Sequence, residues 1–172
     1  TWLPAPPALH QIFIEPLDTF GLGNHPTTIA AMQLALRHVV PASHVLDLGS
    51  GSGILGIALS KIFSCSCVAF DIASGARHVL EENCQRNDVH NVSWTDSYET
   101  DTYDAVVVNI LAPVLRELAG VIQKVTRPKG VIVLSGMREE QVEDVRACFT
   151  SCVELDTVSI DGWTAIALQK VS

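Results

Sequence analysis

His44-Val45-Leu46-Asp47-Leu48-Gly49-Ser50-Gly51-Ser52-Gly53, running on into Ile54-Leu55-Gly56-Ile57-Ala58-Leu59, decides the fold of this chain. A short apolar run rich in branched residues gives way to three alternating glycines and then to apolar residues at helical spacing, the pattern of strand, tight turn and helix. Glycines in such a turn take positive φ and let the backbone come close to a bound molecule. The free N–H groups that open the helix favour a carboxylate or phosphate. The stretch therefore reads as a ligand-holding turn at the end of a buried strand.

Two cofactor classes fit it. Gly51-x-Gly53-x-x-Gly56, with Asp71 about twenty residues on, formally satisfies a dinucleotide fingerprint. Its register is late, because the strand ends at Leu48 and Gly49 should open the turn. Alternatively, Asp47-x-Gly49-x-Gly51-x-Gly53 resembles the nucleotide-binding loop of the class I methyltransferases, which bind S-adenosylmethionine. An acid just before the glycines suits a cofactor that carries an ammonium group and is an awkward neighbour for a pyrophosphate.

Bulk properties narrow the class. A chain of 172 residues is one domain by length and buries most of its apolar surface without staples. Its five cysteines are odd in number and contain no C-x-x-C pair, so they read as free or buried thiols of a reducing compartment, and no zinc site is expected. No apolar run approaches membrane-spanning length and no signal peptide pattern opens the chain, so a cytoplasmic protein is expected, an organelle matrix being the other reducing location. The formal charge of −8 argues against a broad basic surface for nucleic acid and suits a basic protein partner. A hydrophobic content of 48% and a mean hydropathy of +0.29 point to apolar surface covered by a further segment or a partner, or to a buried parallel sheet.

Along the chain, Thr1 to Pro16 is proline-rich and reads as an extended linker with at most a short strand at Gln11-Ile12-Phe13-Ile14. A glycine-bearing loop, Asp18 to Thr28, runs into a helix over Thr27 to His38, with Pro26 suited to its start. Beyond the glycine turn the spacing predicts strands at Ser66 to Asp71, Val92 to Trp94, Tyr103 to Val108 and Val131 to Leu134. Helices are predicted at about Ser74 to Arg86, Val114 to Val125 and Glu139 to Phe149. Such alternation implies a parallel sheet. It ends in two strand-like runs, Val153 to Ile160 and Trp163 to Gln169, joined by the hairpin signal Asp161-Gly162. A parallel sheet closed by an antiparallel hairpin favours the methyltransferase reading over the dinucleotide one.

Phe20-Gly21-x-Gly23-x-His25-Pro26-Thr27-Thr28 resembles the corresponding segment of the PrmA-type methyltransferases, which modify a ribosomal large-subunit protein. Leu22 replaces that family's usual threonine. Val108-Asn109-Ile110-Leu111-Ala112 is similar to its Ala-Asn-Ile-Leu-Ala segment, Ser135-Gly136 to its Leu-Ser-Gly, and Trp163 falls where it carries a tryptophan in the last strand. The resemblance covers Pro16 to about Lys170. It implies an α/β, Rossmann-like class I fold with a seven-stranded, mostly parallel sheet ending in an antiparallel hairpin. Residues 17–172 are then the cofactor-binding domain, and residues 1–16 a linker from an N-terminal substrate-recognition domain.

The site residues follow. Asp71 ends the second predicted strand, where an open parallel sheet places ligand contacts, and a carboxylate there can accept both ribose hydroxyls. The family's usual second acid and proline are replaced by Ala73-Ser74-Gly75. Asp96, after the third strand, stands near the point where class I enzymes often carry an acid on the adenine amino group. Asn109 follows three valines and is expected to face the cofactor crevice and orient the attacking amine. The resemblance implies cofactor contacts at Thr28, Asp47, Gly49, Gly51, Gly53, Asp71, Asp96 and Asn109, and a substrate loop carrying Phe20 and His25. The implied reaction transfers methyl groups from S-adenosylmethionine to lysine or N-terminal amines of the ribosomal protein. A class I enzyme acting on another protein lysine or on a nucleic-acid base is the alternative. Ile110-Leu111-Ala112 lacks the Pro-Pro-aromatic signature that stacks a base. A non-catalytic cofactor-binding module is a further alternative.

Overall fold

The computed structural model describes residues 11–15, 21, 23–100 and 102–171. The expected linker at residues 1–10 and 16, and Phe20 and Leu22 of the expected substrate loop, lie outside the described residues. Seven strands form one sheet in the order β3-β2-β1-β4-β5-β7-β6. They are β1 (His44–Leu48), β2 (Ser66–Phe70), β3 (Val92–Trp94), β4 (Tyr103–Asn109), β5 (Thr126–Arg138), β6 (Cys152–Ile160) and β7 (Trp163–Lys170). The first five run parallel, while β7 pairs antiparallel with both β5 and β6. Asp161 and Gly162, at φ 51° and 75°, make the tight turn that the sequence signals.

Parity along the strands builds two cores. Val45, Val107, Val133, Ala165 and Ala167 face α1 (Pro26–His38) and α2 (Ile54–Phe63). Leu46, Leu48, Val106, Val108, Ile132 and Leu134 face the other way, onto α4 (Ala112–Val125) and α5 (Val142–Arg146). Because β4 is covered on both faces, its run of valines is apolar on both parities, as central parallel strands are. A third cluster joins Ile57 of α2, Ala69 of β2 and Leu80 and Cys84 of α3 (Ala76–Arg86). All five cysteines are free. Among the described residues no helix is long and apolar enough to cross a membrane, and no cluster of potential metal ligands occurs.

The helix expected from Glu139 to Phe149 is broken into a 3-10 turn, Glu139–Gln141, and the short α5. Past α5 the backbone tightens: Cys148 and Phe149 donate to the carbonyls of Val145 and Arg146, three residues back, which turns the buried Phe149 into the core. The strand β5 is longer at both ends than the sequence suggests, with an irregularity between Tyr103 and Ala105 on its partner and Lys129 at φ 64°. Gln11 to Ile14 is not a strand. The backbone groups of Phe13 and Glu15 are taken by the side-chain amides of Asn87, at the C-cap of α3, and of Asn83, within it, instead of by a neighbouring ladder.

Candidate functional site

Strand order reverses between β1 and β4: the chain builds outward through β2 and β3 on one side and then returns to the other. Loops diverge at such a switch point and leave a crevice at the carboxyl ends of the strands. Here it is a cleft of about 600 Å³. Its wall includes Thr28 and His25 from the start of α1, Asp47 of β1, Gly49 and Gly51 of the glycine turn, Asp71 after β2 and Asn109 at the end of β4. Seven residues singled out in the sequence thus meet in one place. Trp163 completes the wall from β7.

The turn is shaped for close approach. Gly49, Gly51 and Gly53 have φ of 76°, 51° and 79°. A Cβ on Gly49 would sit 2.5 Å from Ile110 Cγ2, whereas one on Gly53 would sit 2.2 Å from Leu80 Cδ1. Gly53 is favoured by its left-handed backbone, packs against Leu80 of α3 and does not line the cleft, while Gly49 and Gly51 do. The N–H groups of Gly49 and Ser50 both donate to Phe70 O, and Gly51 N–H donates to Asp71 Oδ2 at 2.8 Å. Asp71 Oδ1 accepts from Ala73 N–H at 2.9 Å. Asp71 so ties the turn to the end of β2, and each of its oxygens keeps a lone pair for a ligand. Ser50 Oγ is buried without a partner among the described residues.

Asp47 is 1% exposed, and its Oδ2 accepts the Gly56 N–H at 2.9 Å. Burial pushes its carboxyl up to about 7, against the lowering effect of the Gly56 N–H and with a smaller upward push from the charge of Asp71. Among the described residues neither Asp47 nor Asp71 has a cationic partner. The cleft therefore presents two acids with no positive side chain to neutralise them.

Asn109 has the strand parity of Val107 and faces α1, where its Nδ2 donates to Thr28 Oγ1 at 3.2 Å. With the donor end committed to Thr28, the carbonyl Oδ1 is the acceptor this side chain offers. His25 caps α1: its Nδ1 lies 2.8 Å from Thr27 Oγ1 and accepts the Thr27 N–H. Its ring meets Trp163 edge to face, with centroids 5.4 Å apart. Ser135 Oγ donates to Thr27 O, and Gly136 is pressed so close to Ile110 that a Cβ would lie 2.2 Å from its carbonyl oxygen. These two residues clamp the start of α1 and the turn after Asn109 into one unit.

Asp96 is not brought to the cleft wall; its Oδ1 accepts from Trp94 Nε1 at 2.9 Å. The mouth carries apolar side chains that no periodicity rule singled out: Ile72 is 93% exposed and Leu111 62%. Their signal lies in position alone, one residue after Asp71 and two after Asn109.

The fit to an adenosyl cofactor can be judged from this geometry. A floor of glycine backbone, a carboxylate able to take two hydroxyls, an acid for an ammonium group and apolar lips are the features such a molecule needs. Residues 2–171 match the family described as ribosomal protein L11 methyltransferase (PrmA). A ribosomal protein L11 methyltransferase from Ralstonia pickettii is 36% identical over 169 residues, which is 96% of this chain and 57% of that relative. Another, from Idiomarina loihiensis, is 35% identical over 173 residues, covering 98% and 59%. This chain thus spans somewhat under three fifths of the length of these curated relatives. Among solved structures, a ribosomal protein L11 methylase from Lactobacillus delbrueckii subsp. bulgaricus matches with a TM-score of 0.80 and 28% identity, over 87% of this chain and 81% of that one. An RNA methyltransferase from Salinibacter ruber in complex with S-adenosyl-L-homocysteine shares the fold alone, with a TM-score of 0.68 and 17% identity over 86% and 93% of the two chains. The architecture is that of the class I methyltransferases, and the chain belongs to the ribosomal protein L11 methyltransferase (PrmA) family.

Proposed function

We propose that this chain binds S-adenosylmethionine in the cleft and transfers its methyl groups to amines of ribosomal protein L11, on lysine side chains or the N-terminus, in the cytoplasm. The observation that carries the reading is the pair of unneutralised acids, Asp47 and Asp71, beside a glycine floor, which suits a ligand bearing an ammonium and a sulfonium charge. In this assignment Gly49 and Gly51 admit the adenosyl group, Asp71 accepts the ribose hydroxyls, Asp47 faces the ammonium group, and Thr28 closes over the methionine end. Asp96 and Gly53 lie outside the cleft wall.

Bound in this cleft, S-adenosylmethionine would supply an activated methyl group for displacement by the amine nitrogen, its sulfur keeping the electron pair and the surplus amine proton passing to solvent. The chain's own residues align and exclude water. A lysine amine, with a reference pKa of about 10.4, attacks only after losing a proton. Asn109 Oδ1 can accept from the neutral amine without the charge that would hold it as ammonium. His25 keeps its Nδ1 on the first turn of α1, and the ring serves as a wall beside Trp163.

Calorimetry with S-adenosylmethionine and with a nicotinamide dinucleotide tests the cofactor, and only the first should give heat. Mass spectrometry of ribosomal protein L11 incubated with the chain and labelled cofactor should show added methyl groups. Label that appears only on ribosomal RNA would replace the amine reading with the nucleic-acid one.

A further inference from the structure

The segment that precedes the cleft loop is held by two buried amides. Asn87, 2% exposed, accepts the Phe13 N–H at 2.8 Å and donates to Phe13 O at 2.7 Å. Asn83, one helical turn earlier on α3 and fully buried, does the same for Glu15 at 2.9 and 3.0 Å. Asn83 Nδ2 also donates to Ser52 O at 2.9 Å, inside the glycine turn. Ser52, itself fully buried, uses its Oγ to donate to Gly21 O at 2.6 Å. Gly21 has φ 118°, and a Cβ there would lie 2.5 Å from that Oγ, so the contact demands glycine. Ser52 therefore holds the chain on both sides: at Gly21 directly and at Glu15 through Asn83.

The coupling has a physical cause. A primary amide is planar and carries both N–H donors on one nitrogen, so the direction in which Asn83 meets Glu15 O fixes the direction in which it meets Ser52 O. At zero exposure neither donor has water to fall back on, and losing one bond favours losing the other. We propose that Asn83 is a positioning residue that makes docking of the 11–15 segment and the shape of the glycine turn one cooperative unit, so that cofactor binding tightens this strap and the docked strap strengthens cofactor binding. The proposal rests on the cofactor reading above.

Linkage requires the two effects to be equal in size. Backbone amide exchange at Phe13 and Glu15 is measured in the full chain with and without saturating S-adenosyl-L-homocysteine, whose binding is followed by calorimetry on the same sample. Saturation should slow both amides about fivefold or more. Asn83→Asp keeps an acceptor but loses both donors, and should weaken S-adenosyl-L-homocysteine binding by a similar factor although residue 83 lies outside the cleft wall. Normal binding heat with unchanged exchange at Phe13 and Glu15 would overturn the proposal while leaving the cofactor reading intact. No binding heat from the parent chain would overturn the cofactor reading and the proposal with it. The exchange measurement on the parent decides the matter even where Asn83→Asp fails to fold.

Discussion

The two ends of the central sheet both carry a crevice, and they treat charge in opposite ways. At the amino ends of β1 and β4 a crevice of about 480 Å³ is lined by Arg37, His38, Asp104, Arg127 and Lys129. There Arg127 pairs with Asp104, and Arg37 and His38 both meet Asp156, at 3.1 and 3.0 Å. At the carboxyl ends, Asp47 and Asp71 are met by backbone N–H groups of Gly56, Gly51 and Ala73. A backbone dipole holds a carboxylate in place without cancelling its charge. A concavity is therefore not what marks the site. The difference is that one end pairs its acids with cationic side chains, while the other holds its acids by backbone N–H groups and leaves them, among the described residues, without a cationic partner.

The largest effect should come from the acceptor at the cleft's centre. Asn109→Ala removes the group that holds Thr28 and that, in the proposed function, orients the incoming amine, and misalignment of this kind costs about 100-fold in turnover. That loss should appear at every pH. Asn109→Asp should also be slow at neutral pH, since a carboxylate favours the ammonium form, but should recover in part as pH rises. Rates on a lysine-bearing substrate across pH 7–10 check this. Two variants with the parent's turnover and profile would move the amine site to the expected substrate loop, Phe20 to Thr28.

Asp71 gives the next effect and sharpens the contrast. Asp71→Ala deletes acceptors for charge-assisted bonds worth roughly 1.5–3 kcal/mol each, and cofactor affinity should fall at least about tenfold. Arg37→Ala breaks an ion pair at the opposite end and should leave cofactor affinity where it was. Calorimetric titration of both variants reads the difference. Equal affinities for Asp71→Ala and the parent would remove Asp71 from the ribose.

Much of this was legible in the sequence because it is local. Branched runs announced β1, β2 and β4, Asp161-Gly162 announced the hairpin, and the alternation of Ile12 and Ile14 inward was real even though no strand forms. What escaped depends on distant partners. Asn83 and Asn87 sit on a helix whose polar residues look solvated, and their function appears only when a segment some 70 positions away is brought against them. Gly49 and Gly53 belong to one motif but answer to different neighbours, Ile110 and Leu80, which no spacing reveals. Asp96 stands at a suggestive position, yet the indole of Trp94 two residues earlier reaches its carboxylate. The helix expected to run on to Phe149 is cut short because that ring is drawn into the core, a tertiary demand that overrides helical spacing.

The smallest effect is one of sign. Asp47 has a carboxyl raised to about 7 in the folded protein, against about 3.9 in an unfolded chain. Between these values the folded state binds the extra proton, so stability falls as pH rises from about 4 to about 7 and is level above that. Asp47→Asn removes the buried charge while keeping an oxygen for the Gly56 N–H, though a neutral amide is the weaker acceptor. The net gain at pH 8 should be about 1 kcal/mol, or roughly 2–4 °C in melting temperature, shrinking towards zero near pH 4. Affinity for S-adenosylmethionine should fall in the same variant. At the opposite end the sign should reverse: Asp104→Asn strips Arg127 of its partner and weakens the acceptor of the His44 N–H, so its melting temperature at pH 8 should drop. Melting curves of the two variants at pH 4 and pH 8 therefore separate a carboxylate kept for a ligand from one kept for the fold. A drop in both would mean that Asp47, too, is held in place by the protein's own charges.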